Sequence, residues 1–133
     1  MSVQTGRIGD LLAAAIIEQL GGSVAVVNRP GYDLIVLFEN RWLRVEVKST
    51  AGLDKRKRCF TWRTSTGSKA KHYLSADHCD VVALVAISRR KAAFVHVSDA
   101  RAKTTHLFLQ KFEQIDERET WLAAVEKTKE VKS

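Results

Sequence analysis

The stretch "YDLIVLFENRWLRVEVKS", Tyr32 to Ser49, holds two apolar runs around a polar middle, Glu39-Asn40, and reads as a β-hairpin. With those two residues as the loop, cross-strand partners have residue numbers that sum to 79, and Asp33 faces Glu46. Side chains alternate between the faces of a strand, and paired residues share a face. One face therefore carries Asp33, Ile35, Leu37, Trp42, Arg44, Glu46 and Lys48; the other carries Leu34, Val36, Phe38, Leu43, Val45 and Val47. The second face is a core. The first grows polar toward the end that holds Asp33, Glu46 and Lys48, as the rim of a site would. A three-residue loop would shift the register by one and break the Asp33–Glu46 pairing.

Outward from the hairpin, Asp10 to Leu20 (DLLAAAIIEQL) consists of strong helix formers and stops at Gly21-Gly22. It is expected to be a helix with Leu11, Leu12, Ala15, Ile16 and Leu20 inward. Asp10 then falls in the first turn, where the helix dipole alone gives it a structural reason. Ser23 to Asn28 reads as a short strand closed by a turn at Arg29-Pro30-Gly31. After the hairpin, residues 49 to 71 contain the bases Lys55, Arg56, Lys57, Arg58, Arg63, Lys69 and Lys71 against one acid, Asp54. Cys59 to Thr64 reads as a strand and Gly67 as the start of a helix, placing Lys69, Lys71, His72 and Tyr73 near the site. Bases interleaved with Phe60, Trp62 and Tyr73 suit contact with phosphates and a base or sugar. A solvated loop with core aromatics accounts for the same pattern.

Asp80 to Ser88 is too continuously apolar for a one-sided strand and belongs inside a sheet. Arg89-Arg90-Lys91 turns it back into a strand over Ala92 to Val97, and Asp116 to Glu130 reads as a C-terminal helix with Trp121, Leu122 and Val125 inward. The expected fold is a single α/β domain over residues 1–133, a mixed central β-sheet flanked by an N-terminal and a C-terminal helix, with the hairpin carrying the site.

Bulk properties narrow the partner. The chain has 133 residues and 22 Lys plus Arg against 15 Asp plus Glu, a formal charge of +7, which favours a polyanion such as nucleic acid. The longest apolar run, Val81 to Ile87, falls far short of the ~20 residues of a membrane span, and no basic amphipathic helix with a clean apolar face appears. Two cysteines, Cys59 and Cys79, are too few for a disulfide scaffold. No secretory signal is evident at the N-terminus, and a cytoplasmic location with nucleic acid is expected. His72, His78, Cys79 and Asp80 match no paired zinc-ligand spacing, and there is no GxxxxGK[ST] loop.

Two carboxylates opposed across a strand pair leave roughly 4.5 to 5.5 Å between Cβ atoms, room for a hard cation that relieves their repulsion. Lys48, two residues past Glu46, offers a compact charge to an attacking water or a scissile phosphate. The bland alternative is a surface ion pair of Lys48 with Glu46 or Asp33.

Asp33, a spacer of twelve, and Glu46-Val47-Lys48 at the end of a hairpin strand resemble the signature of the PD-(D/E)xK nuclease superfamily. The size and the Gly6-Arg7-Ile8-Gly9-Asp10 stretch are similar to small archaeal Holliday junction resolvases and to homing and restriction endonucleases of that superfamily. Tyr32 stands where the family name has proline, and Asp10 where related resolvases show glutamate; Glu18 is the other candidate for the helix acid. The resemblance implies a restriction-endonuclease-like core and a metal-dependent DNA endonuclease. It implies Mg²⁺, with Mn²⁺ substituting, held by Asp33, Glu46, the Val47 carbonyl and Asp10, and Lys48 as the catalytic lysine. Arg7, Lys55, Arg56, Lys57, Arg58, Arg63, Lys69 and Lys71 are the expected DNA contacts. A junction resolvase is the first expectation. A sequence-specific homing or restriction-type endonuclease and a non-catalytic nucleic-acid-binding module are the alternatives. A chain with one site that must cut two strands is expected to work as a homodimer or higher homo-oligomer.

Overall fold

The structure is a computed structural model that describes residues 3–66 and 72–131. Its centre is a five-stranded mixed sheet in the order β1 (Ser23–Arg29), β2 (Tyr32–Phe38), β3 (Arg41–Thr50), β7 (Val81–Ala86), β8 (Lys91–His96). β1, β2 and β3 run antiparallel in sequence order, β3 pairs β7 in parallel, and β8 closes the far edge antiparallel. Between β3 and β7 the chain forms β4 (Cys59–Arg63) and the short strands β5 (Ser65–Thr66) and β6 (His72–Tyr73). β4 pairs with β9 (Thr104–Phe108) to make a separate two-stranded ribbon. The helices are α1 (Val3–Gln19), α2 (Leu109–Gln114) and α3 (Glu117–Val131).

The hairpin forms in the expected register, with Leu34 opposite Val45 and Phe38 opposite Arg41. Glu39 and Asn40 are both in left-handed conformation, with φ of 48° and 64°, the geometry of a two-residue turn whose twist matches the strands. Leu34, Val36, Phe38, Leu43, Val45 and Val47 are buried, as the alternation requires. They form one core with Ala13, Ile16 and Ile17 of α1 and with Trp121, Ala124 and Val125 of α3, so both helices cover the same sheet face. Phe38 and Phe94 meet the Trp121 ring edge-on at 5.5 and 5.1 Å.

On the opposite face Val82, Leu84, Ala86 and Ala93 are covered by Phe60 and Trp62 of β4, Leu74, and Phe112 of α2. The Trp62 indole N–H donates to the Val85 carbonyl at 2.9 Å and anchors the ribbon to the central strand. This second layer covers β7 and β8 and reaches β3 through β4. Farther along the hairpin that face opens, and Trp42 there is 66% exposed.

Four expectations change, and one open alternative, the place of Phe60 and Trp62, is decided. α1 starts at Val3, so Asp10 lies two turns inside the helix and the dipole does not account for it. The helix is also rotated from the expected phase: Gly9, Ala13, Ile16 and Ile17 are buried, whereas Leu11 and Ala15 are exposed. Gly9 sets this phase, since the strand beneath it leaves no room for a side chain. In α3, Leu122 faces solvent and Ala124 takes the inward place. Phe60 and Trp62 are fully buried core residues and offer no ring to a nucleic acid. His72–Tyr73 is a strand paired with Ser65–Thr66 rather than part of a helix; Gly67, Lys69 and Lys71 lie outside the described residues.

Helix α1 ends as expected. The Gly22 N–H donates to the Ile17 carbonyl and the Gly21 N–H to the Glu18 carbonyl, at 3.0 and 3.1 Å, with Gly21 at φ 105°.

Candidate active site

β2 and β3 bring Asp33, Glu46 and Lys48 to one end of the sheet, on the face that the β4–β9 layer leaves half covered. Glu46 and Lys48 pair with Val82 and Leu84 of β7, at the edge of the buried second core. The ladder hydrogen bonds of the hairpin stop at Leu34–Val45. Beyond that point the Asp33 carboxylate replaces the backbone, and its Oδ2 accepts the Val47 N–H at 2.8 Å. The acid is thus fixed against the strand that carries its partner.

Glu46 is 8% exposed, and its carboxyl lies within the field of Asp33. Burial first, and then Asp33, push it up to about 9; Lys48 opposes the rise without cancelling it. The Lys48 Nζ lies 3.8 Å from Glu46 Oε2 and donates to the Ser65 carbonyl at 3.3 Å, which ties it to the chain leaving β4. Two carboxyls close enough for one to raise the other are a donor pair whose repulsion a divalent cation would relieve.

Asp10 on α1 is pushed up to about 7, first by burial and then by the charge of Asp33, while Arg7 draws it back. The helix acid therefore lies within the field of the hairpin acids. Among the described residues, no three acidic, histidine or cysteine side chains gather closely enough to hold a metal by themselves. A cation here would take the Asp33 and Glu46 carboxylates and the Val47 carbonyl, with water and substrate oxygen completing the shell. That donor set suits Mg²⁺, which keeps several waters and uses one or two carboxylates.

Glu18 has a different task. Its carboxylate accepts the Val24 N–H at 2.8 Å and caps the start of β1, at the opposite end of the helix. Asp80 is also committed, bound by the Arg44 backbone N–H at 2.8 Å and by its guanidinium at 3.3 Å. Arg44 in turn donates to the Ala76 and Asp77 carbonyls and clamps the loop before β7. An open groove of about 610 Å³ is bordered by Ile35, Trp42, Leu43, Arg44 and Asp80, on the hairpin but not lined by Asp33, Glu46 or Lys48. His78 Nδ1 accepts from the Ser75 N–H, so neither it nor Asp80 is free for zinc.

Of the expected DNA contacts, Arg7, Lys55, Arg56, Lys57, Arg58 and Arg63 are all exposed; Lys69 and Lys71 lie outside the described residues. Lys55 to Arg58 form the turn before β4, capped by Asp54 Oδ1 accepting the Arg56 and Lys57 N–H groups. No local sign in the sequence marks the β4–β9 pairing, so Thr104, His106 and Phe108 come to one exposed face with Thr61 and Arg63 only through the fold.

No helix among the described residues is long and apolar enough to cross a membrane. No family model matches the chain, and no curated protein matches it. Among solved structures, that of a bacterial homing endonuclease, I-Ssp6803I, is similar over 100% of this chain and 99% of that one, with a TM-score of 0.70 and 20% identity, and so shares its fold.

Proposed function

We propose that the protein is a metal-dependent DNA endonuclease of the PD-(D/E)xK type, with Asp33, Glu46 and Lys48 as its catalytic residues. The observation that carries this reading is the gathering of two acids and a lysine at the end of the hairpin: Asp33 bound to the Val47 N–H, Glu46 buried beside it, and the Lys48 ammonium 3.8 Å from Glu46. A buried acid pair of this kind is costly to the fold and serves no packing purpose. Mg²⁺ bound there would act as a Lewis acid on a phosphodiester oxygen and make hydroxide available near neutral pH.

The chain's own residues do the rest. Asp33, fixed by the Val47 N–H, and Glu46, once it gives up its proton, hold the cation. Lys48 is anchored to the Ser65 carbonyl with its charge directed at the reacting phosphate, where it stabilises the charge that grows there and orients the attacking water. Asp10 acts on the same centre through water. Basic residues of the turn before β4 hold the flanking backbone.

The full-length likeness to an enzyme described as a homing endonuclease favours sequence-specific cleavage of duplex DNA over resolution of junctions. Two copies, each cutting one strand, would complete the reaction. The test is cleavage of a supercoiled plasmid, a linear duplex and a four-way junction, each with Mg²⁺ and with EDTA. Cuts at fixed plasmid sites that need Mg²⁺ support the reading. Cuts confined to the junction move the substrate to branched DNA, and binding without cuts to any of the three makes the chain a non-catalytic DNA-binding module.

A further inference from the structure

The β4–β9 ribbon has two unlike faces. Phe60, Trp62 and Leu107 turn inward to the second core, while Thr61, Arg63, Thr104, His106 and Phe108 turn outward. The outward row is organised: His106 Nδ1 is bonded to the Thr61 hydroxyl at 2.9 Å and Nε2 to the Thr104 hydroxyl at 3.2 Å. Phe108 at its end is 65% exposed, an apolar ring that the fold leaves in water.

The ribbon is also stiff. At one end Thr64 is buried and binds the Lys103 and Ala102 carbonyls at 3.0 and 2.8 Å; at the other, the Leu109 N–H binds the Arg58 carbonyl at 3.0 Å. Its surroundings are cationic, with Lys55 to Arg58 at the tip and Arg101 and Lys103 at the base, and none of these bases is in an ion pair among the described residues. Asp54 alongside spends its carboxylate on its own turn, and Asp99, two residues before Arg101, is paired with Lys127.

From these features, and resting on the endonuclease reading above, we infer that the outward face of the ribbon enters the major groove of duplex DNA and reads bases through Arg63, Phe108 and the two hydroxyls, Thr61 and Thr104, that His106 positions between them. A two-stranded ribbon fits the ~12 Å width of that groove. Arg63 is the guanine reader, since its fork matches the two acceptors of that base, and Phe108 offers an apolar contact to a thymine methyl. The flanking bases hold phosphates and fix the register. Single-stranded nucleic acid would need a row of rings on which successive bases stack, whereas the outward face of the ribbon offers the one ring of Phe108, with Phe60 and Trp62 buried on the inner face. Arg63 lies two residues before Ser65, the residue that holds Lys48, so the ribbon starts at the catalytic end. Five residues at about 3.3 Å each span about 16 Å, placing the bases read within half a turn of the cut.

The test is selection from a randomised duplex library by the full chain, read both as bound and as cleaved sequences, with Arg63→Ala, His106→Ala, Phe108→Ala and Lys57→Ala beside the wild type. The wild type is expected to enrich one motif near the cut. Arg63→Ala should flatten the preference at one guanine, with about ten-fold or greater loss of discrimination there. Phe108→Ala and His106→Ala should each relax a neighbouring position, whereas Lys57→Ala should lower affinity evenly and keep the motif. These side chains face solvent, and unchanged circular dichroism confirms that each variant folds. An unaltered motif in all three ribbon variants, cleavage with no motif, or tighter binding to single strands overturns the inference while the nuclease stands. Neither binding nor cleavage of any duplex by the wild type overturns both.

Discussion

At neutral pH the Glu46 carboxyl keeps a proton that an exposed glutamate would have lost, because it is buried against Asp33. A carboxyl whose folded value is raised from 4.5 to about 9 stabilises the fold fully below 4.5, and that contribution is lost as pH rises toward 9. Asp10, raised from 3.8 to about 7, acts in the same direction over its own window. In EDTA the melting temperature should therefore fall between pH 5 and pH 9, and Glu46→Gln, which cannot ionise, should flatten that decline and melt about 3 °C or more above the wild type at pH 9, the equivalent of ~1 kcal/mol. A wild type that grows more stable toward pH 9 would contradict a proton kept by Glu46. Lys48→Ala should cost about 10²-fold or more in cleavage rate with DNA affinity nearly unchanged, measured by single-turnover assay and gel shift. Asp33, Glu46 and Lys48 were legible in the sequence because period-two alternation and a two-residue turn leave one register. Asp10 was legible as a candidate, but its place in the helix was not: Val3 to Arg7 carry no apolar periodicity that would reveal the earlier start.

The elements that position the site are the hairpin and the helix laid across it, and they meet at Gly9. A Cβ there would overlap Ser49 Oγ and come within 2.8 Å of Ser49 Cβ, on the strand that holds Glu46 and Lys48. Gly9→Ala, which in an exposed helix would gain ~1 kcal/mol, should here destabilise by about 1–3 kcal/mol through overpacking. Ser49 Oγ is buried without a hydrogen-bond partner among the described residues, so Ser49→Ala should restore part of the loss. Thermal melts of the two single variants and the double test this, and additive effects would contradict the contact. The hairpin, the buried run that becomes β7 and the C-terminal helix could be read locally, from alternation, length and helix formers. The ribbon could not, since β4 and β9 are separated by most of the sheet and pair only in the folded chain. For the same reason Phe60 and Trp62 read equally well as rings for a nucleic acid and as core.

Over the whole molecule, a charge of +7 concentrated on the turn before β4 and around the ribbon predicts DNA binding that weakens steeply with salt. Contacts to six or more phosphates would give a slope of log affinity against log salt of about −5 or steeper, which fluorescence anisotropy between low and physiological salt would measure; a slope near zero would contradict a phosphate-held complex. The layer order follows from the same economy. Helices cover one sheet face up to the exposed edge strand β1, the ribbon layer covers part of the other, and the acids stand where that cover ends, buried enough to hold a proton and open enough to meet a backbone. The most direct measurement is nicking of supercoiled plasmid by the wild type, Asp33→Asn and Glu46→Gln, with Mg²⁺ and with EDTA, alongside a gel shift. Mg²⁺-dependent nicking that disappears in both variants while their DNA binding persists is the predicted result; nicking that survives in EDTA, or in either variant, would contradict the account.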